Sequence, residues 1–215
     1  MIKLIINADD FGLSKIFNEE ILKLIEKNKI SSTTVMINKI AEDQTIQVDN
    51  LIKLAKKHNI SIGLHLEFTN NDYQKQIKKQ FKKFQTIFKF KPSHIDIHKA
   101  LDFTDSFQIV IDFCIKNKLP MRYHQKTENL KSPTNGAFFG SVDSFKEIED
   151  WLKTLQDGKF YEILFHPGKY DPDCKSSLNK KREQDVSYVN KLHSLREKHD
   201  IKMVNYSQLA KTHTL

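Results

Sequence analysis

Two adjacent carboxylates follow an apolar stretch near the start of the chain. Asp9 and Asp10 stand in the run NADDFG, directly after a strand-like segment over 2–8. Two like charges at the end of a buried strand repel each other unless a cation lies beside one of them and keeps it ionised. In an extended strand the two side chains point to opposite sides, so we expect the turn at Gly12 to rotate one back. The pair predicts a cation site with one carboxylate free to act as a base.

Histidines end two later strand-like segments. His65 lies near the end of the segment over 60–66, and His98 ends the segment over 94–98. One carboxylate and two imidazoles form a common divalent metal site that leaves positions open for water or substrate. Asp10, His65 and His98 are therefore candidate metal ligands, although a single buried histidine is more often a hydrogen-bonded core residue.

The segment over 94–98 has the most informative pattern. Side chains alternate along a strand, so His94, Asp96 and His98 share one face, and the isoleucines between them share the other. On an antiparallel edge strand such a polar face would simply meet water. A parallel strand is covered on both sides, where polar groups need partners, so the pattern there favours a functional site.

Strand-like and helix-like segments alternate along the whole chain. No Pro-rich or Gly-rich linker divides it, so we expect one domain over 1–215. Alternation of this kind predicts parallel strands wrapped by helices, either as a barrel or as an open doubly wound sheet. Both arrangements place a site at the carboxyl ends of the strands. Seven strands are predicted, over 2–8, 33–37, 60–66, 94–98, 121–123, 161–165 and 201–204.

Three further polar residues stand at the ends of predicted strands. Asn38 follows the second strand, Arg122 lies in the short fifth strand, and His166 follows the sixth. Because the carboxyl ends of parallel strands lie on one side of the sheet, we expect these residues near the candidate metal ligands.

Composition restricts the class of protein. The 215 residues are 39% apolar and 29% charged, which predicts a globular protein with a sizeable core. No apolar run reaches about 18 residues, and the stretch after Lys3 is too short for a signal peptide. We therefore expect a cytoplasmic location and no membrane partner. Cys114 and Cys174 are not spaced as a CxxC pair, which favours free thiols.

The net charge of +8 arises from 35 basic and 27 acidic residues, an excess that can attract anionic partners. Seven of the lysines lie between Lys75 and Lys91 and alternate with apolar residues at helical spacing. We interpret that segment as an amphipathic helix with a lysine-rich exposed face. No helix-turn-helix, zinc-finger or RNP pattern occurs, so we expect no nucleic-acid partner.

Six short sequences, in this order, give the chain a family resemblance. They are NADDFGLS at 7–14, SSTTVMIN at 31–38, IGLHLEFT at 62–69, KPSHIDIH at 91–98, MRY at 121–123 and FHPGKYD at 165–171. At these residues the chain resembles the YdjC-like carbohydrate deacetylase family, which includes chitooligosaccharide deacetylases. The resemblance extends over nearly the whole chain, and its first and fourth pieces are the most specific.

The resemblance implies a fold, a reaction and a metal. The fold is a TIM-barrel-like (β/α) barrel with fewer than eight or distorted units. The reaction removes the N-acetyl group of an acetylated amino sugar or short chitooligosaccharide and releases acetate. One divalent ion, Mg²⁺ or Zn²⁺, would be held by Asp10, His65 and His98, with Asp9 as general base and His166 as proton donor to the leaving amine.

The resemblance also bears on the substrate, and the chain differs from the family pattern at two places. Arg122 matches a basic group at the family's site, and we expect it to contact the substrate, together with Asn38 from its place at a strand end; a homodimer is also implied. Lys99 and Ala100 stand where family members often carry further histidines, and the segment over 66–93 is short for the family, which leaves the choice of sugar open.

Two other classes of function fit the same residues. Two histidines and one carboxylate also describe a non-haem iron site or another metallohydrolase. A non-catalytic carbohydrate-binding protein on the same scaffold is a further alternative, because a fold does not fix a function.

Overall fold

A parallel sheet organises the chain. The computed structural model describes residues 1–124, 134–196 and 198–212, and in these residues seven strands form one sheet. The order is β4-β3-β2-β1-β6-β5, and β7 also pairs with β1. The sheet curls into an α/β barrel-like fold with fewer than eight strands, as predicted. The strands are β1 (Ile2–Phe11), β2 (Ser32–Val35), β3 (Ser61–Leu66), β4 (Ile95–Ile97), β5 (Ala137–Phe139), β6 (Phe160–Phe165) and β7 (Ile201–Met203).

Helices connect most of the strands and cover the sheet. Two begin at predicted caps: the Ser14 hydroxyl accepts a hydrogen bond from the Ile16 amide, and Ser144 forms a capping box with Glu147. The helices are α1 (Lys15–Glu26), α2 (Thr45–His58), α3 (Tyr73–Phe88), α4 (Phe107–Asn117), α5 (Phe145–Leu152), α6 (Arg182–Leu195) and α7 (Tyr206–Thr212).

Strand β1 is the centre of the sheet. It pairs with β6 over residues 3–8, with β2 over residues 7–11 and with β7 over residues 2–4. Its apolar residues Leu4, Ile6 and Ala8 are completely buried in the main core. A strand held on both edges and both faces gives the residues at its carboxyl end a rigid base.

A β-bulge ends this strand at the two adjacent carboxylates. Ala8 is opposite Thr33 and Phe11 is opposite Val35, so Asp9 and Asp10 together face the single residue between those partners. Asp10 has a φ of 71°, in the left-handed region that aspartate tolerates better than most residues. The bulge turns Asp10 back toward the side that Asp9 faces, as expected, although the turn occurs at Asp10 itself and not at Gly12.

The predicted fifth strand is wrong. Over 121–123 the structure has only one bridge, between Met121 and Ile95, and strand β5 lies later in the chain. The pairing partner β4 has only three residues, and Pro120 has no backbone N–H to extend the pairing in the other direction. Strand β5 is itself three residues long, which is too short for an alternating pattern to stand out.

Three predictions on composition are answered by the structure. Helix α3 buries Ile77, Phe84 and Phe88 and exposes most of its lysines, as expected for an amphipathic helix. Cys114 and Cys174 are free thiols, and burial raises the pKa of the Cys114 thiol to about 12. Within the described ranges, no helix combines the length and the apolar character that a bilayer crossing requires.

A close approach between β3 and the residue before β4 yields a stability prediction. A β-carbon at Gly63 would lie 2.3 Å from the Cε1 atom of His94, whose ring stacks on Tyr206 at 3.7 Å between centroids. Gly63→Ala should therefore lower the free energy of unfolding by about 1–3 kcal/mol in urea denaturation. Gly136→Ala is the matched control, because its nearest neighbour would be 3.7 Å away. Equal stability of the two variants would contradict this packing.

Candidate metal centre

The three predicted metal ligands converge at the carboxyl ends of β1, β3 and β4. The Oδ1 atom of Asp10 lies 3.5 Å from Nε2 of His65 and 3.4 Å from Nδ1 of His98. The two histidine nitrogens are 3.2 Å apart. Bonds of about 2.1 Å to one ion at tetrahedral angles place donor atoms about 3.4 Å apart. The spacing of these three atoms therefore fits a single divalent ion.

A buried arginine fixes the orientation of Asp10. The Nη2 atom of Arg182 donates to Oδ2 of Asp10 at 2.7 Å, and its guanidinium lies 3.7 Å from the ring centroid of Phe17. The other carboxylate oxygen, Oδ1, is buried and accepts no hydrogen bond from any residue that the structure describes. A buried oxygen without a donor is costly, and a cation between it and the histidines would satisfy it.

A second carboxylate orients His65. Its Nδ1 atom lies 2.9 Å from Oδ2 of Asp96, which directs Nε2 toward Asp10. Carboxylates commonly hold metal-binding histidines in this way. Burial alone would lower the pKa of His65, but the carboxylates of Asp9, Asp10 and Asp96 raise it to about 10. The site is thus strongly attractive to positive charge.

Charge counting around the site leads to the same conclusion. Four buried carboxylates face two buried guanidinium groups, so the carboxylates outnumber the guanidinium groups by two (four minus two), an excess that a proton on His65 offsets in part. A bound divalent cation would balance this excess. The six residues are Asp9, Asp10, Asp96, Glu162, Arg122 and Arg182.

Asp9 is held as a carboxylate beside the candidate ligands. Its oxygens accept hydrogen bonds from both Nη atoms of Arg122, each at 2.8 Å, from Thr34 at 2.5 Å and from Asn7 at 2.7 Å. Burial raises the pKa of Asp9, but the charges of Arg122 and His65 outweigh it, and the net shift is downward. Asp9 is therefore ionised, the state that a general base requires.

Arg122 lies beneath Asp9 and not at an open surface. It is only 3% exposed, and its guanidinium donates to the carboxylates of Asp9, Asp96 and Glu162. These carboxylates hold the pKa of Arg122 well above its usual range despite burial, which alone would lower it. We interpret Arg122 as a positioning residue for Asp9, in place of the expected contact with substrate.

The other two predicted site residues differ in their surroundings. The Nε2 atom of His166 lies 3.9 Å from Oδ2 of Asp9, so this histidine belongs to the same cluster. Burial lowers the pKa of His166. Asn38 is exposed in the turn after β2, and its contact with substrate stays a prediction.

Arg182 is a site residue that the sequence reasoning missed. It begins helix α6, more than 170 residues after Asp10 along the chain, and no local pattern links the two. The one local feature that sets Arg182 apart in the sequence is the run of basic residues over 180–182 at the start of a helix, where acidic residues are more usual.

The donor geometry predicts stabilisation by divalent cations. Zn²⁺ at about 100 times its dissociation constant should stabilise the protein by about 2.7 kcal/mol, because the folded site alone brings the three ligands together. Thermal unfolding with Zn²⁺ and with a chelator measures this shift. His98→Ala should lose it, and the control His58→Ala, on helix α2, should keep it. A shift that survives in His98→Ala would place the ion elsewhere.

Comparison with known proteins identifies relatives over most of the chain. A family model described as YdjC-like protein matches residues 3–77 and 71–211. The carbohydrate deacetylase of Clostridium beijerinckii is 27% identical over 245 aligned positions, covering 94% of this chain and 95% of that protein. The chitooligosaccharide deacetylase of Proteus mirabilis is 28% identical and covers 81% of this chain and 84% of that protein.

Solved structures share the fold. A proposed cellobiose-phosphate cleavage protein from Enterococcus faecalis has a TM-score of 0.77 at 18% identity, over 97% of this chain and 98% of that one. A family 4 acetyl xylan esterase from Clostridium thermocellum, in complex with a cobalt ion, has a TM-score of 0.55 at 11% identity, over 98% and 91% of the two chains. Since the family model matches nearly the full length, this chain belongs to the YdjC-like family.

Proposed function

We propose that this chain is a metal-dependent hydrolase that removes the N-acetyl group of an acetylated amino sugar or short chitooligosaccharide and releases acetate. The observation that carries the proposal is the convergence of Asp10, His65 and His98 within 3.2–3.5 Å of one another, with the ionised Asp9 next to them. The names of the two curated relatives support the class of substrate.

The ligand set favours certain ions. Two imidazoles and one carboxylate suit zinc, iron, cobalt or manganese better than magnesium, which prefers oxygen ligands. The cobalt ion in the acetyl xylan esterase agrees with this preference. We retain Zn²⁺ and Mg²⁺ as the leading candidates. When bound, such an ion lowers the pKa of a water molecule and polarises the acetyl carbonyl.

Asp9 is the general base in this proposal. Asn7, Thr34 and Arg122 fix both of its oxygens, so the carboxylate cannot rotate away from the candidate metal ligands. It takes a proton from water as that water attacks the carbonyl carbon. Positioning of a base by four hydrogen bonds from three residues reduces the reorganisation that the reaction would otherwise require.

His166 is the proton donor to the leaving amine. Its Nε2 atom is 3.9 Å from Oδ2 of Asp9, so the proposed acid and base lie side by side at the same edge of the site. Expulsion of an amine requires a proton on its nitrogen, and a charged imidazole supplies it. Asp9 and His166 thus divide the two proton transfers of amide hydrolysis between two side chains.

Two alternative functions, a non-haem iron oxygenase and a carbohydrate-binding protein, can be distinguished from the hydrolase by assay. A non-haem iron oxygenase shares the same three ligands but needs oxygen, and an oxygen-consumption assay with Fe²⁺ identifies it. A carbohydrate-binding protein would bind the sugars without releasing acetate. The base Asp9 and the acid His166 beside the ligands favour hydrolysis over both.

The test of the function is an acetate-release screen. The substrates are N-acetylglucosamine and its dimer, each with and without a phosphate, and the protein is supplied with Zn²⁺ or Mg²⁺. We expect acetate and a free amine in equal amounts from at least one of these sugars. Binding of the sugars without acetate release would support the non-catalytic alternative and overturn the proposal.

Replacement of the two adjacent carboxylates should separate catalysis from metal binding. Asp9→Asn keeps the metal ligands, so we expect metal affinity to be retained while turnover falls by at least about 100-fold. Asp10→Ala removes a ligand and should abolish both. Calorimetric metal titration and the acetate assay measure the two properties on the same samples. Full activity of Asp9→Asn would exclude its role as the base.

The proposal also covers domain organisation, cellular location and oligomeric state. We propose that residues 1–215 act as one deacetylase domain in the cytoplasm. A homodimer is also proposed, from the family resemblance alone. Light scattering of the purified chain measures the oligomeric state, and a monomer would exclude the homodimer.

A further inference from the structure

A buried chain of hydrogen bonds lies behind His166, on the side away from Asp9. The Nδ1 atom of His166 is 3.0 Å from the hydroxyl of Ser141, and that hydroxyl donates to Oδ2 of Asp185. The same Oδ2 atom accepts the backbone N–H of His166 at 2.7 Å. Ser141 and Asp185 are 3% and 1% exposed, so water does not compete for these bonds.

The single proton of the serine hydroxyl determines the direction of this chain. Because Ser141 gives its proton to Asp185, its oxygen can only accept from His166. The Nδ1 atom of His166 must therefore carry a hydrogen. In a neutral imidazole the other nitrogen, Nε2, then has none, and Nε2 is the atom that faces Asp9.

We propose that Ser141 and Asp185 are positioning residues that hold His166 in the Nδ1–H tautomer and so confine its exchangeable proton to Nε2. The identity of the leaving amine rests on the proposed function, whereas the tautomer rests on the hydrogen bonds alone.

The arrangement serves both protonation states of the histidine. In the charged form, Nδ1–H still donates to Ser141 and Nε2–H faces the site. Transfer of the Nε2 proton forms an N–H bond on the leaving amine and returns the electron pair of the broken bond to Nε2. No hydroxyl has to rotate during this step, because the bond between Nδ1 and Ser141 is the same before and after it. In the opposite tautomer Nδ1 would have no proton to donate to Ser141, and the serine hydroxyl would have to rotate away from Asp185.

Charged groups on different sides of His166 have opposite effects on its protonation. Asp9 and Asp10 favour its charged form from the side of the site, and Arg182 opposes it from helix α6. The charge of Asp185, on the same helix, favours the charged form. The ring of Phe139, at the end of β5, lies 5.4 Å from the imidazole between centroids.

Nitrogen NMR of histidine-labelled protein tests the tautomer directly. The nitrogen spectrum of the Zn²⁺-loaded protein is recorded at about pH 8, where an unperturbed histidine is neutral. His166→Gln identifies the resonances of His166 by their loss. We expect Nδ1 to show a bonded hydrogen and Nε2 to show none. A wild-type His166 with its hydrogen on Nε2 would overturn the proposal, whatever the enzyme activity proves to be.

Substitutions test whether the serine is the cause. Ser141→Ala removes the acceptor, so we expect the Nδ1–H form to be lost and kcat to fall by about 10- to 100-fold with little change in KM. Ser141→Thr retains the hydroxyl and should restore the tautomer. Ser31→Ala removes another buried hydroxyl, bonded to the Ile6 amide, and should leave the His166 resonances unchanged. An unchanged tautomer in folded Ser141→Ala would exclude the serine as its cause, and absence of acetate release with the expected tautomer would contradict only the proposed function.

Discussion

The arrangement of the site depends on excess negative charge buried at the carboxyl ends of the strands. Arg122 contacts the carboxylates of Asp9, Asp96 and Glu162, Arg182 contacts that of Asp10, and all six groups are nearly without access to water. Such a cluster is costly to bury unless a further positive charge completes it. In the protein alone, the pKa of His65 rises to about 10, which supplies a proton in that role. A divalent ion bound by Asp10, His65 and His98 would supply two charges and take the place of the proton on His65.

The bulge at the end of β1 lets two neighbouring carboxylates perform different tasks. A regular strand would send Asp9 and Asp10 to opposite faces, but the left-handed backbone at Asp10 brings both into the site. A strained residue of this kind costs about 1–3 kcal/mol, and the surrounding contacts must offset it. Each carboxylate then has its own arginine, Arg122 for Asp9, the proposed base, and Arg182 for Asp10, the proposed metal ligand.

Local patterns predict those parts of the site that stand at strand ends. The proximity of Asp10, His65 and His98 could be predicted because each follows or ends an apolar run, and the carboxyl ends of parallel strands meet. The barrel-like fold followed from the alternation of strands and helices and from the family resemblance. Strand β5 and helix α7, of three and seven residues, were not predicted.

The supporting residues escaped prediction because only tertiary structure joins them to the site. Arg182 reaches Asp10 across 172 positions of the chain, and Ser141 reaches Asp185 across 44. Neither pair leaves a local signature. Arg122, in the predicted fifth strand, was expected to contact the substrate, but the three carboxylates around it come together only once β1, β4 and β6 are assembled.

X-ray anomalous scattering from crystals of the zinc-loaded protein tests the central claim most directly. The account predicts one strong zinc peak per chain, about 2.0–2.2 Å from Oδ1 of Asp10, Nε2 of His65 and Nδ1 of His98. A fully occupied zinc site elsewhere, or a metal-loaded structure in which these three atoms do not share an ion, would contradict it.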